Sequence, residues 1–568
     1  MPKTTGARYF AEMIKGYGIT HAFFVPTILM DALAEMDELG VQKILTHGEK
    51  AAAYMADGYA RAANRPGLCM GQQIGASNLA AGLRDAYMAG APVIAITGGP
   101  GTPGRYRHSY QEVEDFAQFD SMTKLNMQLD DVSRLPDLMR QLFRAVTTGA
   151  PKPVHLRLRG SHGQGIECEA DLPLPVIENE YRAVPAYRPE PEIERVKAAL
   201  AALAKAQRPI IVAGGGVTSS GAQAELVRFA EKMQIPVATS LNAKGAILDT
   251  HPLAVGVPGV YSRECANRTI SEADLVMFIG SHAGAQVTAN WKIPAPGTTV
   301  IQIDIDAQEL GRNYPNAASV LGDAKATLKH MIALASGPAA GAQAWVKRTQ
   351  QIVADWRASV AANYNSDATP IRPERICKEI TDALPADGVV VSDTGHAGMW
   401  TGQLTDMRYA TQRYIRCAGS LGWGLPGAMG VKCAMPDRPV ILFSGDGGFY
   451  YHIAELETAA RHGINLVMVV NNNSSLNQEI PLVGNAYKGK RGDKYKPDEM
   501  WRFQRTADIA KIAEAMGCAA FRVETPAQLK ELLPKAMAMN RPVVLDVISD
   551  DTALAPTAWT PEGKSGAH

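Results

Sequence analysis

Two short runs of residues carry the clearest chemical capability. The first is Ser444-Gly445-Asp446-Gly447-Gly448, and the second is Asn471-Asn472-Asn473, which ends 27 residues after Asp446 (473 − 446). Glycines let backbone N–H groups close on an anion at a helix N-terminus, while a carboxylate beside them holds a cation. A carboxylate and a carboxamide at the tips of adjacent strands are hard oxygen ligands, as magnesium needs when it also takes phosphate oxygens. A Gly-Asp-Gly alone is most often a plain turn; its coupling to the asparagine run makes the signal specific. Glu49, in Leu45-Thr46-His47-Gly48-Glu49, opens an alanine-rich helix over 51–61. Read alone, it is a helix N-terminal carboxylate that favours the macrodipole.

The elements that must position these residues are apolar runs of strand length, each followed by a glycine-rich turn and helical periodicity. They lie at 91–99, 208–216, 273–281, 438–448 and 464–473. Fully apolar strands alternating with helices predict parallel sheets covered on both faces. The Asp446 turn follows a strand over Val440–Phe443 and opens a helix from about His452 to Arg461, and a further strand runs over Leu466–Val470. Proline-rich breaks at 173–192 and 336–342 divide the chain. Three doubly wound α/β domains are expected, at 1–172, 190–335 and 365–550, with helical connecting material at 343–364. In open α/β sheets ligands sit beyond the carboxyl ends of the strands, where the Asp446 turn and the asparagine run fall.

Bulk composition narrows the function classes. Lys+Arg and Asp+Glu both total 57, for a net charge of +0, so neither a nucleic acid nor an acidic membrane surface is an expected partner. The seven cysteines lie far apart without a C-x-x-C pair, which disfavours a disulfide framework or a zinc site and suits a reducing cytosol. The N-terminal stretch lacks the apolar core of a signal peptide, and no apolar run reaches membrane-spanning length. A cytoplasmic protein is the expectation.

With Asp446 and Asn473 so spaced, the chain resembles the thiamine-diphosphate-dependent enzymes, and the segment 419–464 resembles their acetolactate-synthase and pyruvate-decarboxylase branch. The resemblance implies thiamine diphosphate and Mg2+ as cofactors. It places Asp446 and Asn473 side chains and the Ser475 carbonyl on the metal. The diphosphate would take backbone N–H groups of the turn Gly445, Gly447 and Gly448, together with Gly395 and His396 of the second diphosphate turn (393–400). Leu421 matches the bulky wedge that bends the cofactor, and Glu49 matches the carboxylic acid that drives tautomerisation of its aminopyrimidine. The resemblance also implies a homodimer or homotetramer, with Glu49 and the diphosphate site contributed by different subunits.

The substrate-facing residues leave the reaction branch open. Tyr110-Gln111-Glu112 resembles the aromatic-Gln pair on the acceptor side of acetolactate synthase, and Gln111 can donate to a carbonyl or developing oxyanion. Glu479, six residues after Asn473, occupies the place of a proton-transfer glutamate in pyruvate-type decarboxylases; read alone, it is an exposed residue at a helix start. Phe24-Val25-Pro26-Thr27 and Gln73-Ile74-Gly75 depart from the family's usual turns and resemble oxalyl-CoA decarboxylases equally well. The basic stretch Tyr487–Lys496 is either a solvated loop or a lid over an anionic substrate. Ala213-Gly214-Gly215-Gly216 and Ile303-Asp304-Ile305-Asp306 make FAD or ADP a candidate in the central domain, which is equally readable as an empty remnant. The expected function is a lyase or carboligase acting on a 2-oxo acid or 2-hydroxy ketone, with small molecules as its substrates. A 2-hydroxyacyl-CoA lyase or oxalyl-CoA decarboxylase is the alternative, and a non-catalytic nucleotide-binding homologue is the rival from another class.

Overall fold

The computed structural model describes residues 4–490 and 494–565. Three six-stranded sheets, every pairing within them parallel, follow one another along the chain, each flanked by helices. The first has the spatial order Gln42–Leu45, His21–Phe24, Gly67–Gly71, Val93–Thr97, Val154–Leu158, Leu125–Leu129. The third has the order Arg413–Arg416, Val389–Ser392, Val440–Gly445, Val467–Asn472, Val543–Ile548, Ala519–Val523. Numbered within its own sheet, each reads 2-1-3-4-6-5, so two of the three sheets share one winding although their sequences show no short-period repeat. The central sheet reads 3-2-1-4-5-6, the order that places a ligand crevice between its first and fourth strands, Pro209–Ala213 and Leu275–Ile279.

The expected apolar runs form strands, and Val440–Gly445 and Val467–Asn472 run two residues past the expected ends Phe443 and Val470. Val93–Thr97, Pro209–Ala213 and Leu275–Ile279 are buried at every position, as strands covered on both faces must be. The helix read as His452–Arg461 differs: a short helix Asp446–Tyr450 comes first, and the regular helix starts only at Glu455. Tyr451 and His452 are held by the turn at Gly422, whose carbonyl contacts His452 Nδ1 at 2.9 Å, so helical geometry is deferred by one turn. A 23-residue helix, Ala342–Tyr364, connects the central and third sheets and is anchored by Trp345 Nε1 donating to Pro209 O.

The first and third sheets are joined through their helices. Helix Glu49–Ala63 packs on helix Gly424–Ala434 with backbone against backbone at two points. A Cβ on Gly58 would lie 2.0 Å from Gly427 O, and one on Gly430 1.9 Å from Met55 O. Trp423 closes this contact, its indole N–H donating to the buried Asp57 at 2.7 Å. One apolar core therefore runs from Phe23 through Met55 and Met429 to Leu442.

Candidate active site

Three strand ends of the third sheet converge at its switch point, between strands Val389–Ser392 and Val440–Gly445. Gly445 ends one strand, and a Cβ there would meet open space, leaving its amide face free for a ligand. Gly447 and Gly448 are glycines for a different reason. A Cβ on the first would strike Leu476 Cδ2 at 2.5 Å, and one on the second would approach Asp393 at 2.9 Å and Leu421 Cδ1 at 3.3 Å.

Asp446 is 1% exposed and carries no cationic partner among the described residues. Its oxygens accept the N–H groups of Gly447 at 2.8 Å and Ser475 at 3.1 Å. Burial pushes its carboxyl up to about 7, against the pull of those donors. Asn473 Oδ1 and Ser475 Oγ are buried without partners, as is Asn471 Oδ1. A desolvated carboxylate beside orphaned oxygens could hold a cation, and an all-oxygen donor set suits magnesium. The middle asparagine is structural: Asn472 Nδ2 donates to Asp546 at 2.7 Å.

The second turn faces the first. Gly395 has φ +65°, and His396 begins helix His396–Leu404. Burial pushes the His396 imidazole down to about 4. Gln478, which sequence reasoning passed over, lies against Gly395, its Oε1 2.9 Å from where a Cβ would stand. Glu479, the next residue, is half-buried at the end of a short 3-10 turn leading into helix Ile480–Tyr487, so it does start a helix beside this turn.

Asp393, fully buried, accepts the N–H groups of Thr394, Gly422 and Gly424 at 2.7, 3.2 and 3.0 Å. It thereby ties the turn before Gly395 to the segment that carries Leu421. Burial holds this carboxyl up at about 6.

Glu49 sits at the ends of the first sheet's strands. It is the first residue of its helix, 9% exposed, and accepts from Asn78 Nδ2 at 3.2 Å. Gly75 fits under it; a Cβ there would stand 2.2 Å from Glu49 Oε1. Gln73 is buried and donates to Val113 O at 3.4 Å, tying this turn to the loop of Gln111. Gln111 has φ +64° and a buried Oε1 without a partner, whereas Tyr110 is 83% exposed. The residues expected to work together thus occupy two surfaces. Glu49, Gln73 and Gln111 lie on the first sheet, and Asp446, Asn473, Ser475, Gly395, His396, Leu421 and Glu479 on the third. Residues 491–493 of the basic stretch lie outside the described residues.

In the central sheet, Gly214 and Gly216 press on the turn after the neighbouring strand, with Cβ positions 2.1 Å from Gly280 O and 2.7 Å from Gly280 Cα. The glycine run therefore has a packing cause. Beside it opens a cavity of about 380 Å³ lined by Gly215, Ser281, Asp304 and Asp323.

Models of thiamine pyrophosphate enzymes match the chain in three parts: the N-terminal TPP binding domain over residues 4–119, the central domain over 196–331 and the C-terminal TPP binding domain over 393–547. The chain belongs to the thiamine pyrophosphate enzyme family. Within it, the chain is 32% identical to a probable acetolactate synthase large subunit of Methanocaldococcus jannaschii, over 97% of this chain and 93% of that protein. It is 28% identical to the acetolactate synthase large subunit of Lactococcus lactis, over 96% and 92% of the two chains. The Haemophilus influenzae acetolactate synthase large subunit is 27% identical, over 97% and 96%. These relatives place the chain in the acetolactate-synthase-like branch and do not favour the CoA-thioester alternative. Among the described residues, no helix is long and apolar enough to cross a membrane.

Proposed function

We propose that this thiamine pyrophosphate enzyme is a carboligase of the acetolactate synthase type, acting on a 2-oxo acid in the cytoplasm with Mg2+ beside its cofactor. The observation that carries the reading is the oxygen cluster of Asp446, Asn473 and Ser475, set against glycine turns that leave backbone N–H groups to an anion. Asp446 and Asn473 would hold the metal by their side chains and Ser475 by its carbonyl. Gly395, His396, Gly445, Gly447 and Gly448 would hold the diphosphate. When bound, the cofactor supplies a nucleophilic carbon and a sink for the electrons left when carbon dioxide departs.

The chain's own residues then divide the remaining work. Glu49 would hold a proton at the pyrimidine edge, Leu421 would pack against the bound cofactor, and Gln111 would donate to the acceptor carbonyl. Glu479 delivers or withholds a proton at the reacting carbon. Because Glu49 and the metal cluster occupy different domain surfaces, we take the working unit to be a homodimer or homotetramer whose sites form between subunits. The units are 1–172, 190–335 and 365–550. The central cavity would take FAD or ADP, which absorbance and mass analysis of the protein's extract would identify.

The test is product analysis with thiamine diphosphate, Mg2+ and a panel of pyruvate, benzoylformate, an acyloin and a 2-hydroxyacyl-CoA. Carbon dioxide together with a ligated 2-hydroxy ketone product from a free oxo acid is the expected result. Turnover of the thioester alone would overturn the proposal.

A further inference from the structure

The segment Ala418-Gly419-Ser420, immediately before Leu421, has neither helix nor strand geometry, yet its three consecutive N–H groups converge. Successive amides of this kind form a concavity that ordinarily holds an anion. Here the anion belongs to the chain. Asp85, on helix Ala76–Ala89 of the first domain, accepts from Ala418 at 2.8 Å, Gly419 at 3.0 Å and Ser420 at 2.9 Å. Its side chain is fully buried, and no Lys or Arg pairs with it among the described residues. The backbone donors therefore carry the whole burden of compensating a desolvated carboxylate, and charge-assisted bonds at these lengths are strong ones.

What this carboxylate holds is the base of Leu421. On the far side, Asp393 takes the N–H groups of Gly422 and Gly424, and Gly422 turns back at φ +89°. Leu421 is suspended between two buried aspartates from two domains, with its Cδ1 beside Gly448 of the diphosphate turn. We infer that Asp85 is a positioning residue for the cofactor: it sets the height of Leu421 over the diphosphate turn and makes that height depend on the seating of the first domain against the third. This rests on the proposed role of Leu421 as the wedge, and it assigns Asp85 a function beyond packing because the segment it grips is the wedge's own support.

The test is Asp85→Asn in the full-length protein. The variant conserves volume but turns one acceptor end into a donor facing N–H groups, so at least one bond is lost. The expected results are faster amide hydrogen exchange confined to 417–421, thiamine diphosphate binding weakened about 10-fold by calorimetry with Mg2+ present, and kcat reduced more than the KM for oxo acid. Leu142→Ala, in the core of the first domain away from the site, serves as the control. It should lower the melting temperature without changing cofactor affinity or exchange at 417–421. Equal effects in the two variants, or unchanged exchange and affinity in Asp85→Asn, overturn the inference. If Asp85→Asn does not fold, exchange in the unaltered protein without cofactor decides. Amides 418–420 must then be protected like those of the sheet strands, and fast exchange refutes the grip. Failure of the unaltered protein to bind thiamine diphosphate would refute the functional reading instead, and leave this exchange result to stand by itself.

Discussion

Gly75 and Glu49 are in steric contact: a methyl group on the glycine would stand 2.2 Å from the carboxylate oxygen Oε1. The turn that departs from the family's usual pattern at Gln73 and Ile74 keeps its glycine for this reason. Gly75→Ala should fold, because the atoms nearest its Cβ all belong to the Glu49 side chain and none to backbone, but the carboxylate must swing aside. A displacement of about 1 Å at such a group costs on the order of 100-fold in turnover. Steady-state rates alongside melting temperatures check this; near-normal turnover would show that Glu49 needs no fixed position.

Glu49→Gln keeps the Asn78 contact and the packing on Gly75 while removing the acid. Turnover should fall by about 10²–10⁴-fold, the range associated with a general acid–base group, with cofactor affinity little changed. Calorimetry for binding and initial rates for turnover separate the two effects.

Chelation addresses the oxygen cluster directly. EDTA treatment should abolish turnover, and added Mg2+ should restore it in the unaltered protein. Asp446→Ala removes the acceptor of both the Gly447 and Ser475 amides as well as the proposed metal ligand, and should not be rescued by Mg2+ at any concentration. Recovery in that variant would move the metal elsewhere.

Glu479→Gln distinguishes protonation from ligation. If the glutamate supplies the proton for aldehyde release, the variant should shift product from aldehyde towards the ligated ketone at a given acceptor concentration, read by chromatography. An unchanged product ratio and rate returns Glu479 to the role of a helix-start residue.

His452 gives a stability prediction with a fixed sign. Burial, with Lys50 nearby, pushes its imidazole down from 6.5 to about 4. Because the folded value lies below the unfolded one, the unfolded chain takes up the proton first. The stability this histidine contributes is complete above about pH 6.5 and is lost as pH falls from there to about 4. His452→Gln, which keeps a donor for Gly422 O, should show a smaller drop in melting temperature across that window; equal slopes would contradict the assignment.

The strands were readable from sequence because burial on both faces demands unbroken apolar runs, as in Pro209–Ala213. The Asp446 turn was readable because one strand end supplies both its glycines and its carboxylate. Asp85 was not. Its partners lie 333 to 335 residues away, and a lone aspartate in an alanine-rich helix looks like surface charge. Gln478 escaped because its significance lies in touching Gly395, and the helix read from His452 missed its start because Gly422 holds that turn. In the central domain, Gly214 and Gly216 read as a glycine-rich nucleotide turn, and the fold also packs them against Gly280, a contact the sequence alone does not show.

The main-chain contact of Gly58 with Gly427 and of Met55 with Gly430 has a mechanical consequence. Where backbone meets backbone, no rotamer change relieves a shift, and beside these points Trp423 and Asp57 are tied to each other, so sliding of the two helices meets hard contacts. The first and third domains of one chain are thereby stiffened against sliding along this contact, in contrast to the exposed loop around Tyr110.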